Sequence, residues 1–150
     1  MINHAHKPRS CQLFLVNDSL VVRRDDFLSN GLRVGNTEDV EILSLASSQD
    51  NVEVGEAILR ALSQVEVIAS LPERRSDYVP PYILATGFHK FEEFEALCCS
   101  CGCIESQNSI LLFPAIYEPI RKGFRHDRSN QILSVLDPAT IGRNAMMLLV

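Results

Sequence analysis

The stretch Asn17-Asp18-Ser19-Leu20-Val21-Val22 recurs about ninety residues later as Gln107-Asn108-Ser109-Ile110-Leu111-Leu112. Each copy places polar turn residues directly before an apolar run, a pattern that predicts a β-hairpin. Farther along, Gly31-Leu32-Arg33 recurs as Gly123-Phe124-Arg125. Because the order is the same in both halves, the sequence predicts an α+β fold in which two pseudo-symmetric sheet-plus-helix repeats share one core.

Each repeat continues into a strand and a helix. A buried strand is predicted over 40–46 and a strand over 131–136, and a helix follows each of them. The first helix, over 50–64, has Asp50 and Glu53 in capping-box spacing, and the second starts at Asp137-Pro138. The proline-broken stretch 71–81 separates repeat halves of about 11–65 and 82–150. With 150 residues and 46% hydrophobic residues, we expect a single domain over 1–150.

Charge is unevenly distributed along the chain. The net charge is −5, and neither 34–59 nor 91–120 contains a lysine or arginine. Phosphate recognition needs a local excess of basic residues, so this distribution argues against a nucleic-acid binder and favours a basic protein partner. The basic group Arg121, Lys122, Arg125 and Arg128 is short and is expected to pair with the acidic tract.

Catalytic and metal-binding motifs are missing from the sequence. The cluster Cys98-Cys99-Ser100-Cys101-Gly102-Cys103 contains a Cys-X-X-Cys, but no second ligand pair stands at zinc-site spacing. We expect Cys99, Cys101 and Cys103 to be reduced, metal-free residues on one buried face of a strand. No phosphate-binding glycine loop, nucleophile elbow or paired aspartates occur. The sequence therefore predicts a protein that is not an enzyme and has no cofactor.

The chain has no apolar run of the roughly 18 residues that a membrane-spanning helix needs. Its amino terminus is polar and has no apolar core of the kind found in secretory signals. An odd number of crowded cysteines also argues against a disulfide framework. Together these features predict a cytoplasmic protein that does not enter a membrane.

Several stretches resemble immunity proteins of contact-dependent growth inhibition systems. The first is Glu53-Val54-Gly55-Glu56-Ala57-Ile58-Leu59-Arg60-Ala61-Leu62, which follows a predicted strand as it does in that family. In the second half, Thr86-Gly87-Phe88-His89-Lys90-Phe91-Glu92-Glu93-Phe94, Ser109-Ile110-Leu111-Leu112-Phe113-Pro114 and Gly123-Phe124 are similar to later parts of the pattern. These stretches cover about half of the chain. The cysteine cluster is not part of the pattern.

The resemblance implies a bacterial protein that binds and neutralises a cognate toxin domain, often a nuclease, and a fold similar in shape to Whirly-type nucleic-acid-binding domains. The alternative is a Whirly-like protein that itself binds single-stranded nucleic acid, which would need a basic, aromatic face. As an immunity protein, the protein would work by occluding the toxin's active site with its acidic surface. From the charge distribution, we expect the partner to be basic and to meet acidic residues at a sheet edge. The residues predicted to bind it are Asp25, Asp26, Glu38, Asp39 and Glu41.

Overall fold

The computed structural model describes residues 7–45, 50–121 and 123–149. Its strands are β1 (Ser10–Val16), β2 (Ser19–Leu28), β3 (Arg33–Gly35), β4 (Glu41–Ser44), β5 (Val67–Ile68), β6 (Cys99–Ser106), β7 (Ser109–Glu118), β8 (Gly123–His126) and β9 (Ile132–Val135). The helices are α1 (Asn51–Ser63), α2 (Pro81–Ala85), α3 (Phe91–Leu97) and α4 (Pro138–Leu149). A single 3-10 turn, Arg128–Asn130, precedes β9.

The strands form one curled sheet that is antiparallel except where β5 pairs with β2. Its main path runs β3-β2-β1-β6-β7-β8. β4 pairs with the first part of β2 and β3 with its last part, and β9 and β8 pair with the corresponding parts of β7. The strands β1 and β6 meet antiparallel at the centre, with Cys11 opposite Cys103.

Both predicted hairpins are present. The β1–β2 turn consists of Asn17 and Asp18, whose φ angles of 49° and 59° lie in the left-handed region that asparagine and aspartate tolerate. The second hairpin turns at residues 107–108, with Gln107 also at positive φ. The turn residues thus set the register that places the apolar side chains on the two sheet faces.

The long helices α1 and α4 pack side by side on one face of the sheet, where the main core lies. The predicted caps are confirmed: Asp50 accepts a hydrogen bond from the Val52 amide, and Asp137 accepts one from the Thr140 amide. A Cβ on Gly55 would lie 1.9 Å from the Pro138 carbonyl oxygen, and a Cβ on Gly142 would lie 1.8 Å from that of Asn51. The fifth residue of each helix is therefore a glycine that touches the first residue of the other helix.

The opposite face of the sheet is covered over part of its area by α2 and α3. These short helices enclose an aromatic cluster formed by Phe14, Tyr82, Phe88, Phe94 and the partly buried Phe124. The ring centroids of Phe14 and Phe94 lie 5.3 Å apart. In the described residues, no helix is long and apolar enough to cross a membrane.

Two local predictions are corrected. The strand predicted over 40–46 was expected to be buried, but β4 lies at an edge and alternates between half-buried and exposed residues, with Ile42 38% exposed. Residues 46–49 are outside the described residues. Cys101 and Cys103 are buried as predicted, whereas Cys99 is exposed because it is the first residue of β6, directly after α3 ends.

Candidate partner-binding surface

The predicted partner-binding residues are divided between two places. Asp26, Glu38 and Asp39 lie around the β3–β4 connection, and Glu41 begins β4 beside them. Asp25 belongs to the opposite face of β2, where it accepts a hydrogen bond of 2.8 Å from the Ser10 hydroxyl. The structure therefore does not bring all five carboxylates to one sheet edge.

Asp26 is buried, so the prediction that it projects toward a partner is wrong. Its exposed fraction is 2%, and its carboxylate accepts hydrogen bonds from Arg24 Nε at 2.9 Å, Asn36 Nδ2 at 2.9 Å and the Glu66 amide at 3.0 Å. A buried carboxylate requires such donors, and here they come from three separate chain segments. Asp26 therefore holds β2, the β3–β4 connection and the start of β5 together.

Asp39 completes the same buried network from the surface. Its carboxylate accepts a 2.7 Å hydrogen bond from Arg24 Nη1, and its own side chain is 71% exposed while that of Arg24 is only 6% exposed. Burial lowers the pKa of Arg24, but the hydrogen bonds to Asp39 and Asp26 outweigh burial and leave that pKa raised. Charge reversal at Asp39 would thus disturb the fold as well as the surface.

Glu38 and Glu41 are each tied to an arginine of another segment. Glu38 accepts hydrogen bonds from Arg74 Nη2 at 2.8 Å and from the Tyr78 hydroxyl. Glu41 forms a two-pronged ion pair with Arg60 of α1, at 3.0 and 2.8 Å. The acidic β3–β4 connection is consequently braced against both α1 and the segment that follows β5.

A cleft of about 420 Å³ opens between this connection and the 66–80 segment. We call it the acidic cleft. Its apolar lining comes from Val34, Ile68, Leu71, Pro72, Pro80 and Phe91, and its charged lining from Asp26, Glu38, Glu66 and Arg74. Carboxylates outnumber the single arginine around an apolar floor, so the cleft suits a side chain that has an apolar stem and a positive end.

Sequence reasoning identified Glu38 and Asp26 but missed the other wall of the acidic cleft. The 71–81 stretch was interpreted only as a junction between repeats, although Leu71 is 57% exposed and Tyr78 contacts Glu38. Apolar residues in a polar stretch that contains several prolines are the sequence signal that could have indicated a binding surface here. Nothing in the sequence indicated that this segment folds back onto the β3–β4 connection.

The cysteines and the basic loop have structural explanations. The thiols of Cys11, Cys101 and Cys103 are buried at the β1–β6 pair, and burial raises the pKa of the Cys98 thiol to about 12. Within 7–45, 50–121 and 123–149, no group of three His, Cys, Asp or Glu side chains could hold a metal ion. As expected from the charge pattern, Arg125 pairs with Glu118 at 2.8 Å and Arg121 approaches it at 3.7 Å; Lys122 is outside the described residues.

Comparison with known proteins gives similarity of fold rather than of sequence. No protein-family model and no curated protein matches the chain. A protein of unknown function from Neisseria meningitidis, NMB0488, is 13% identical, with a TM-score of 0.73 over 99% of this chain and 98% of that chain. A chain of the CdiA-CT/CdiI toxin and immunity complex from Yersinia pseudotuberculosis is 15% identical, with a TM-score of 0.66 over 95% and 96%. The fold is thus similar to one found in a toxin and immunity complex.

Proposed function

We propose that this protein is an immunity protein that binds and neutralises a toxin domain. The observation that carries the proposal is the likeness of nearly the whole chain to a chain of a toxin and immunity complex. The residue pattern over 53–62 supports it independently, since it resembles that of contact-dependent growth inhibition immunity proteins.

The acidic cleft is the proposed docking site for the toxin. Interfaces commonly combine an apolar centre, which takes an anchoring side chain, with a charged rim that guides encounter. The exposed wall residue Leu71 supplies apolar surface here, and Glu66 supplies negative charge. The ion pairs of Glu38 and Glu41 hold this surface in place before binding, which lowers the entropy cost of association.

The negative charge of the acidic cleft supports a more specific proposal about the toxin and how it is inhibited. A basic toxin domain complements the acidic cleft, and nucleases have basic grooves because they bind phosphates. We therefore propose a nuclease toxin whose active site is occluded by the bound protein in the bacterial cytoplasm, without turnover of any substrate by the immunity protein. We also propose that the two halves are related by a Whirly-like pseudo-two-fold, which the reciprocal contacts of Gly55 and Gly142 support.

The test is binding to the toxin domain encoded just upstream of this chain's gene, measured as association and dissociation rates with the purified proteins. The parent should bind with a Kd in the nanomolar range or below, more slowly at high salt. Glu66→Lys, at the acidic cleft, should lower the association rate about tenfold because a repulsive charge opposes encounter.

The matched control is Glu56→Lys, which introduces the same charge at an exposed position of α1 that does not line the acidic cleft. Its association rate should stay within about twofold of the parent. If Glu66→Lys and Glu56→Lys lower the association rate by the same factor, the toxin docks elsewhere. If the parent neither binds the toxin nor protects cells from it, the immunity function itself is wrong.

A further inference from the structure

A second cavity lies on the sheet face opposite α1 and α4, beyond the part that α2 and α3 cover. Its volume is about 390 Å³. Its floor includes Gln12 and Gly102 of the central strands, and a Cβ on Gly102 would lie 2.3 Å from the Phe113 ring. Arg23 and Arg33 line it from one half of the sheet and Arg128 from the other, so we call it the arginine trough.

Most arginines in the described parts of the chain form an ion pair with a carboxylate. The pairs involve Arg9, Arg24, Arg60, Arg74, Arg75, Arg121 and Arg125. The described arginines with no carboxylate within 4.0 Å are Arg23, Arg33, Arg128 and Arg143. All of these except Arg143 line the arginine trough. Among the described arginines, those without an ion pair are thus concentrated at one site.

The trough arginines are held in place by neutral groups. Arg23 Nη1 donates to the Tyr82 hydroxyl at 3.2 Å, and its buried Nε has no acceptor among the described residues. Arg33 donates to the Pro8 carbonyl oxygen and lies over the Phe27 ring. The Arg128 guanidinium lies 4.2 Å from the centre of the Phe113 ring. These contacts orient the guanidinium groups without a carboxylate within 4.0 Å; at longer range, the charge of Arg23 interacts with the buried Glu95.

The other titratable groups in the arginine trough do not cancel this charge. Asp25 is the carboxylate in the lining; it accepts a hydrogen bond from the Ser10 hydroxyl, and the three arginines outnumber its single negative charge. His126 lies beside Phe113, and burial together with the Arg128 charge lowers the pKa of its imidazole. His126 is therefore neutral at pH 7. The trough has a net positive charge on a protein whose net charge is −5.

We propose that the arginine trough binds an acidic peptide segment of a protein partner through carboxylate–guanidinium pairs. Guanidinium groups recognise carboxylates through paired hydrogen bonds, and the described residues leave these donors without such a partner. This site goes beyond the proposed toxin docking at the acidic cleft, because it has the opposite charge and takes a ligand of opposite chemistry.

An acidic peptide fits the arginine trough better than single-stranded nucleic acid does. Sequence-tolerant binding of single strands depends on open aromatic faces on which bases stack. Phe113 is only 1% exposed and its ring is covered by Arg128, while the Phe14 ring is covered by Arg23 at 5.0 Å. A site with guanidinium groups but no free aromatic face recognises charge without stacking bases.

The test is fluorescence anisotropy of a labelled hexaglutamate peptide titrated with the full-length protein, with hexaglutamine and an oligothymidylate of equal length as comparison probes. We expect saturable binding of hexaglutamate with a Kd below about 1 mM, which weakens as salt screens the charges. The double substitution Arg33→Gln/Arg128→Gln should weaken binding at least about tenfold. Addition of hexaglutamate should shift the NMR signals of His126 and of the Gln12 side-chain amide.

Arg143→Gln is the matched control, since Arg143 also has no carboxylate within 4.0 Å among the described residues but lies on α4, away from the arginine trough. It should change the Kd less than about twofold. Arg33 and Arg128 are exposed, and the single variants carry the test if the double variant does not fold. The proposal is overturned if hexaglutamate does not bind, if Arg143→Gln has the same effect as the trough variants, or if oligothymidylate binds more tightly than hexaglutamate.

Discussion

The β3–β4 connection, residues 36–40, and the β8–β9 connection, residues 127–131, occupy corresponding places in the two halves but differ in what lies beneath them. Each begins with a side chain that accepts hydrogen bonds from backbone amides two or three residues later. Asn36 accepts from the amides of Glu38 and Asp39, and Asp127 accepts from the amide of Ser129. Beneath the first connection lie Arg24 and Asp26 of β2. At the corresponding positions of β7, ninety residues later in the sequence, the chain has Pro114 and Ile116. The two connections begin with similar side-chain-to-amide contacts, but among the described residues only the first lies over a buried ion network.

At the crossing of α1 and α4, the glycine contacts are reciprocal, and substitutions there are expected to give the largest loss of stability. Gly55→Ala and Gly142→Ala should each lower the free energy of unfolding by about 3 kcal/mol, because the new Cβ would overlap a backbone carbonyl of the other helix. In a helix without that contact, the same change would instead raise stability by about 1 kcal/mol. Urea denaturation of each variant measures the effect.

The control for the helix crossing is Gly123→Ala, since a Cβ there would meet no atom within 4 Å. It should leave the urea midpoint almost unchanged. A stable Gly55→Ala with an unstable Gly142→Ala would show that the two contacts are not equivalent and would contradict the proposed pseudo-two-fold.

Substitutions in the β3–β4 and β8–β9 connections are expected to give the next largest changes in the free energy of unfolding. Asn36→Ala should lower the free energy of unfolding by about 2 kcal/mol, because it removes the acceptor for two amides and a donor to the buried Asp26 carboxylate. Asp127→Ala removes only contacts at the exposed surface and should cost clearly less. Chemical denaturation of both variants under one condition compares them, and equal losses would contradict the difference in anchoring.

The α3 helix, which covers part of one sheet face, is expected to give a smaller, pH-dependent effect. Burial raises the pKa of Glu95 from its ordinary 4.5 to about 7, with the Arg23 charge opposing and the Glu92 charge adding to the shift. The folded state therefore holds this proton more tightly than the unfolded state. The stability that Glu95 contributes is fully present below pH 4.5 and is lost as the pH rises through 7.

Glu95→Gln should remove this loss and make the protein more stable than the parent at pH 8, by about 1 kcal/mol once solvent screening is allowed for. At pH 4 the two proteins should have similar stability. Melting temperatures of parent and variant at both pH values give the comparison. A variant that is no more stable at pH 8 would show that Glu95 is ionised in the folded protein without cost.

Features set by neighbouring residues could be predicted from the sequence. The Asn17-Asp18 turn and the Asp50 and Asp137 caps depend on a few adjacent residues, and the structure confirms them. The burial of Asp26 could not be predicted, because its donors come from segments as far away as Glu66. The positions of acidic residues in the sequence likewise do not show which carboxylates form ion pairs within the folded chain.

The candidate sites show the same limit more sharply. Acidic tracts predicted an acidic surface, yet Glu38, Asp39 and Glu41 each neutralise an arginine of the same chain. Arg128 is far from Arg23 and Arg33 in the sequence, and the three line one cavity because the β1–β6 pairing joins the two halves of the sheet. The net charge of −5 therefore gave no sign of the cavity where, among the described residues, unpaired arginines gather.

The central pairing of β1 with β6 has a consequence for synthesis of the chain on the ribosome. Ser10 pairs with Ile104 and Leu15 with Cys99, so this ladder cannot begin until more than half of the chain has been translated. Until then β1 is an open strand edge, and α1 has no α4 against which to pack. Closing the long chain segment between β1 and β6 is entropically costly and slow. The first half of the nascent chain is therefore prone to incorrect strand pairing until the second half has been synthesised.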